Sequence, residues 1–144
     1  MSKLLLVNID SNKSTNTITD VLIKELITYG YKVKISDLSD EEVCDADLVI
    51  GLHSNSSGDV LIIKDDTPFS KSGRLAYTVS EHLLNYYNCT ILSNKEIGRL
   101  FTFVFTQTKR IPTIILMYGS RKDKDNKAYA SLLADAIKQL KNQL

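Results

Sequence analysis

Only two histidines occur in the 144 residues, His53 and His82, so imidazole chemistry near neutral pH has two places to reside. His53 closes the run Asp47-Leu48-Val49-Ile50-Gly51-Leu52-His53 and opens the polar stretch Ser54-Asn55-Ser56. Such an apolar run reads as a strand buried on both faces, which puts His53 at a strand end, where α/β sheets assemble their ligand sites. An imidazole there reads equally as a group working on the rim and as a structural residue. His82 lies mid-helix beside Glu81 and reads as a surface or half-buried helix residue. A second polar stretch, Asp10-Ser11-Asn12-Lys13-Ser14-Thr15-Asn16-Thr17, comes after the apolar run Leu4 to Ile9. Hydroxyls and backbone N–H groups ahead of a helix can cradle a phosphate. This stretch has no glycine and reads better as a capped polar loop. Cys44 and Cys89 are far apart and have no metal-type spacing. Two free thiols in a reducing compartment is the simpler reading, and the sequence leaves a disulfide open.

Two further clusters read as structural. Leu100, Phe101, Phe103, Val104 and Phe105 could form an aromatic platform for carbohydrate, but their β propensity predicts a strand with alternating burial. The run Arg121-Lys122-Asp123-Lys124-Asp125-Asn126-Lys127 reads as a solvated loop, placed where it could meet an anionic partner.

The elements that must hold these residues alternate. Strands are predicted at Leu4–Ile9, Lys32–Ile35, Leu48–Leu52, Val60–Ile63, Thr90–Leu92 and Thr113–Tyr118. Helical spacing marks Ile18, Val21, Leu22 and Leu26, with Thr17 or Thr19 as cap and Gly30 as stop. It marks Leu75, Val79, Leu83, Leu84 and Tyr87 behind Ser70 and Ser72, and the tail Ala128–Leu144. Asp37–Asp47 reads as a short helix or loop. The expected fold is therefore one α/β domain: a mostly parallel twisted sheet of about six strands with helices on both faces. The loops at the carboxyl ends of its strands are Asp10–Asn16, His53–Gly58 and Tyr118–Asp123. Eighteen Lys and Arg against seventeen Asp and Glu give a formal charge of +1, so neither nucleic acid nor a membrane surface is expected as the main partner. The apolar runs fall far short of the ~20 residues of a membrane span, and the first ten residues hold too short an apolar run for a signal peptide. The expected location is the cytoplasm, unless a phage-type release delivers the chain elsewhere.

The run Asp47 to Asn55 resembles the strand and His-small-Asn turn of the zinc-dependent N-acetylmuramoyl-L-alanine amidases (amidase type 3). The later segments also come in a similar order: the strand Gly58–Lys64, the helix opened by Ser72-Gly73-Arg74-Leu75-Ala76, then Thr106 to Leu116 as the family's loop, proline and apolar strand, and a closing helix from Tyr129 to Leu140. Upstream, Leu6 to Asp10 is similar to the family's first strand. The resemblance spans nearly the whole chain and implies an amidase or zinc-exopeptidase-like fold. It also implies a Zn²⁺ held by two His and one Glu, with a further Glu as general base.

Matched position by position, the resemblance leaves one of these roles filled. His53 falls on the second histidine ligand. Lys13 stands about where the first should be, and an ammonium cannot bind a metal. Between Ser11 and Lys24 there is no Glu, only Asp20, and Met117 takes the place of the catalytic Glu. Asp10 and His53 could approach each other across adjacent strand ends. The resemblance therefore implies a divergent amidase-like domain, catalytically inactive, with no confident catalytic residue and His53 as a vestigial metal position. It would bind a peptidoglycan fragment or a protein partner through His53, Ser54, Asn55, Asp10 and Lys13, without a cofactor. One alternative is an active amidase whose zinc site is rearranged, with Asp10, Asp20 or Glu81 replacing a ligand. The other is a flavodoxin-like flavin-binding protein, resembled by the hydroxyl-rich first loop and by Gly30 to Ser39.

Overall fold

The computed structural model describes residues 2–55 and 57–140. Ser56 and the last four residues of the predicted terminal helix, 141–144, lie outside the described residues. The chain runs β1 (Lys3–Asn8), α1 (Lys13–Tyr29), β2 (Lys32–Ile35), α2 (Asp40–Cys44), β3 (Leu48–His53), β4 (Val60–Lys64), α3 (Lys71–Leu83), β5 (Cys89–Ser93), a short 3₁₀ turn, α4 (Thr102–Gln107), β6 (Thr113–Met117) and α5 (Asp123–Leu140).

The six strands form one sheet in the order β2-β1-β3-β6-β4-β5. Every neighbouring pair is parallel except β4 and β6, which run antiparallel. Because β6, the last strand, is inserted between β3 and β4, the order departs from the flavodoxin arrangement 2-1-3-4-5. That corrects the flavodoxin-like alternative at the level of topology. The sheet is the expected one: mostly parallel, six-stranded, covered on both faces.

The two faces have separate cores. Leu4, Leu6, Leu48, Ile50, Ile62, Ile114 and Leu116 pack under α1, α3 and α5. Leu5, Val49, Ile63 and Ile115 pack on the other face with Val43 of α2 and Phe101 and Val104 at α4. The period-2 alternation of side chains makes each central strand apolar on both sides. Gly51 sits in the second layer, where a Cβ would come within 2.9 Å of both Ile115 Cγ1 and Ile9 Cδ1.

Two sequence expectations are corrected. Helix α1 starts a full turn before Thr17, with Asn12 as its cap: the Asn12 side chain accepts a hydrogen bond from Ser14 N. The inward positions of that first stretch are Thr15 and Thr19, whose hydroxyls donate to Asp10 and Asn8 at 2.6 Å each. Helical burial thus begins on hydroxyls, which an apolar-periodicity reading does not see. The segment Leu100–Phe105 is not a strand but leads into α4. Phe101 and Val104, three apart, are buried, while Phe103 is 56% exposed. The buried Asn94 accepts from Phe101 N at 2.9 Å and donates to the Thr102 hydroxyl at 3.1 Å, turning the chain where β propensity alone would extend it.

Candidate functional site at the strand ends

The carboxyl ends of β1, β3 and β6 lie side by side. Asn8 is in register with Leu52, and His53 with Met117. Asp10, two residues past β1, is the hub. Its Oδ2 accepts the Ser54 hydroxyl at 2.6 Å and Ser54 N at 2.9 Å. Its Oδ1 accepts the Thr15 hydroxyl at 2.6 Å and Asn12 N at 3.4 Å. Burial works to raise the Asp10 carboxyl, but the hydrogen bonds from Ser54, Thr15 and Asn12 outweigh it and hold it below its ordinary value.

His53 stands beside this hub, its Nδ1 3.6 Å from Asp10 Oδ2. Nδ1 also lies 2.7 Å from the Ser54 carbonyl oxygen. A carbonyl only accepts, so Nδ1 carries a proton, and in the uncharged tautomer the lone pair is on Nε2. The ring meets Phe101 edge-on at 5.8 Å, on the sheet face covered by α2 and α4.

Three loops are knitted together next to this pair. The Ser14 hydroxyl donates to the Ser120 carbonyl at 3.0 Å, and Tyr118 N to the His53 carbonyl at 3.1 Å. The side chain of the buried Asn126 clamps Ser120 twice, accepting from its N–H and donating to its carbonyl, both at 2.9 Å. Gly119 lets the loop after β6 press against the loop after β3: a Cβ there would stand 3.0 Å from Asn55 O. Between the loops is an open cleft of about 880 Å³, lined by Asn12, Ser14, Ser54, Asn55, Ser57, Gly58, Tyr118 to Lys122, and Asp125. Tyr118, largely buried at the edge of the cleft, stacks on the buried Tyr129 at 4.1 Å.

The sequence-derived candidates fare differently. Asp10, His53 and Ser54 come together in one network. Asn55 lines the cleft, though its amide nitrogen also donates to the Ser57 hydroxyl at 3.0 Å and the Asp59 carbonyl at 3.3 Å. Met117 is the register partner of His53. Lys13, exposed at the start of α1, has no hydrogen bond or ion pair with His53 among the described residues, and its charge instead acts on Asp123 of α5. Asp20 and Glu81 are exposed on α1 and α3, the helices across the sheet from the His53 ring. Among the described residues no three His, Cys, Asp or Glu side chains gather closely enough to hold a metal ion. Cys44 and Cys89 are both free thiols. Sequence reasoning places Ser14 and Thr15 in a strand-end loop and Asn126 in a solvated basic run, without assigning any of the three a role in the site. The loop Tyr118–Asp123 is legible from its place after a strand, while nothing local marks Asn126.

Comparison with known proteins gives a fold-level answer. No protein-family model matches this sequence, and no curated protein matches it. Solved structures do. The N-acetylmuramoyl-L-alanine amidase AmiC2 of Nostoc punctiforme superposes with a TM-score of 0.62 at 15% identity, over 96% of this chain and 93% of that one. An N-acetylmuramoyl-L-alanine amidase from Clostridium difficile 630 gives 0.60 at 16% identity, with the same coverage. A metallo-carboxypeptidase from Burkholderia cenocepacia gives 0.62 at 10% identity, over 94% of this chain and 56% of that one. The fold is amidase-like. At these identities the likeness is one of architecture, and this amidase-like domain has to be judged on its own residues. No helix among the described residues is long and apolar enough to cross a membrane.

Proposed function

We propose that this domain is a divergent, catalytically silent relative of the N-acetylmuramoyl-L-alanine amidases that binds a cell-wall fragment in the cleft between the loops after β1, β3 and β6. The observation that carries the reading is the make-up of the rim. A catalytic zinc needs three protein ligands and an open position. Here, among the described residues, His53 has the Asp10 carboxylate beside it, and no third His, Cys, Asp or Glu side chain joins them closely enough to hold a metal ion. His53 Nδ1–H is turned to the Ser54 carbonyl and Asp10, and both Asp10 oxygens accept hydrogen bonds. Met117, beside His53, has no group that can act as a base. The residues present do not supply the three ligands that zinc needs.

What remains suits recognition. The cleft is walled by hydroxyls and amides of Asn12, Ser14, Ser54, Asn55 and Ser120, with Arg121 and Lys122 at its edge. Muropeptides carry sugar hydroxyls, N-acetyl and peptide amides, and carboxylates, which are the complements of those groups. Asp10 and His53 act as positioning residues, holding the loops after β1 and β3 in register.

A second reading, an active amidase with a rearranged site, is favoured by one feature, the free Nε2 lone pair of His53. It narrows to Asp10 as the replacement ligand, because Asp20 and Glu81 stand across the sheet. Two measurements separate the readings. Titration of isotope-labelled protein with a disaccharide-peptide is expected to shift the amides of Ser14, Ser54, Asn55 and Gly119 to Lys122, with zinc far below stoichiometric after dialysis. Stoichiometric zinc, or release of stem peptide bearing N-terminal L-alanine from peptidoglycan, would overturn the silent reading. Absence of any amide shift would overturn the binding.

A further inference from the structure

At the opposite end of the sheet, below the amino ends of β1, β3 and β6, lies a second open groove of about 1050 Å³. Its lining includes four cations, Lys64, Lys71, Arg74 and Arg110, against one carboxylate, Asp47. In a chain whose formal charge is only +1, that is a local concentration of positive charge. The nearby carboxylates keep their charge but are turned to neutral donors of the fold. Asp47 Oδ2 accepts Lys3 N at 2.8 Å, Asp65 accepts the Ser70 hydroxyl at 2.6 Å, and Asp66 accepts Lys95 N at 2.7 Å. Among the described residues, Lys71, Arg74 and Arg110 form no ion pair. Two aromatic rings stand in the same groove: Phe69 is 98% exposed and Tyr77 61%. Lys71 and Arg74 are one turn apart on α3, and Tyr77 comes one turn later, so they form a stripe along the helix.

We infer that this groove is a docking surface for an acidic segment of a protein partner, one whose carboxylates alternate with apolar side chains. Arginine and exposed aromatics are the residue types that dominate protein interfaces. Lys64 Nζ donates to the Asp65 carbonyl at 3.0 Å, while Lys71, Arg74 and Arg110, exposed and without ion pairs among the described residues, favour an acidic segment through charge complementarity. A nucleic-acid strand would need a basic track that continues along its backbone, and polyuridylate serves as the control for it. The surface is separate from the rim at His53, so this partner and the cell-wall fragment would bind independently.

Binding of a short fluorescein-labelled peptide of alternating Glu and Leu to the full chain, read by anisotropy, tests the inference. The wild type is expected to bind it in a salt-sensitive manner and to ignore the Lys and Leu counterpart. Arg74→Glu combined with Arg110→Glu should weaken binding by at least about tenfold. Phe69→Ala should weaken it by several-fold without changing its salt dependence. Both variants alter exposed side chains, and their thermal transitions are expected to match that of the wild type. Undiminished binding by the charge-reversed variant would overturn the inference. So would failure of the wild type to bind, or binding of polyuridylate in place of the peptide. Muropeptide titration of the charge-reversed variant should still shift the amides at Ser54 and Gly119, so failure at one surface is readable apart from failure at the other.

Discussion

Replacing Asp10 by Asn tests the hub of the rim with almost no change of shape. The carboxylate accepts four hydrogen bonds, two from hydroxyls at 2.6 Å and two from backbone N–H groups at 2.9 and 3.4 Å. An amide can keep only one oxygen. The least costly arrangement turns that oxygen to Ser54, whose N–H cannot rotate, and the new NH₂ to Thr15, whose hydroxyl can reverse. The N–H of Asn12 then loses its acceptor. Hydrogen bonds to a charged acceptor are worth about 1.5–3 kcal/mol against about 1 for neutral ones, so removing the charge from the two Ser54 bonds costs roughly 2 kcal/mol. The position just ahead of α1 adds a few tenths more through the helix dipole. For a domain of this size that corresponds to a fall of roughly 8 °C in Tm. The effect must depend on pH in a particular sense. The folded-state carboxyl is held below its ordinary value, so its stabilisation is present above the unfolded pKa and is lost as pH falls through the folded one. Thermal melts of the two proteins should therefore differ at pH 7 and converge in acid well below pH 4. A difference under about 2 °C at pH 7, or one that persists undiminished in acid, would refute the account of Asp10 as a charged acceptor.

Gly51→Ala should destabilise by about 1–3 kcal/mol in urea unfolding, because its methyl would sit 2.9 Å from two isoleucine side chains in a filled layer. Asn126→Ala removes both bonds that clamp Ser120, at a cost of about 2 kcal/mol, and amide exchange should quicken in the loop after β6 before it quickens in the sheet. Cys44 is exposed, whereas burial pushes the Cys89 thiol up to about 11. A thiol reagent at pH 8 should therefore label Cys44 quickly, and Cys89 only as the protein unfolds.

Legibility in the chain differs by element. The apolar runs at Leu4–Ile9, Leu48–Leu52 and Thr113–Tyr118 locate the central strands, because strands buried on both faces have few polar positions. Gly30, in the left-handed conformation at φ 111°, ends α1 as its position suggests. The start of α1 is hidden because Thr15 and Thr19 are buried through hydrogen bonds rather than as apolar groups. Segment 100–105 misleads because Phe and Val favour strands locally. Here the bonds of Asn94 and the second sheet face favour a turn and a helix.

The same division holds for the site. The sequence by itself determines that His53 ends a buried strand, that Asp10 follows the end of another, and that a methionine stands where the amidase resemblance would want a glutamate. Those are properties of residue type and short-range order. Only the tertiary structure decides that Asp10 and His53 meet, that Lys13 does not join them, and that Asp20 and Glu81 are on the other side of the sheet. Strand order and the antiparallel insertion of β6 beside β4 set those distances, and they depend on pairings between segments dozens of residues apart. The basic groove at the far end obeys the same rule: Lys64, Arg74 and Arg110 converge because the sheet brings the end of β4 beside the start of β6.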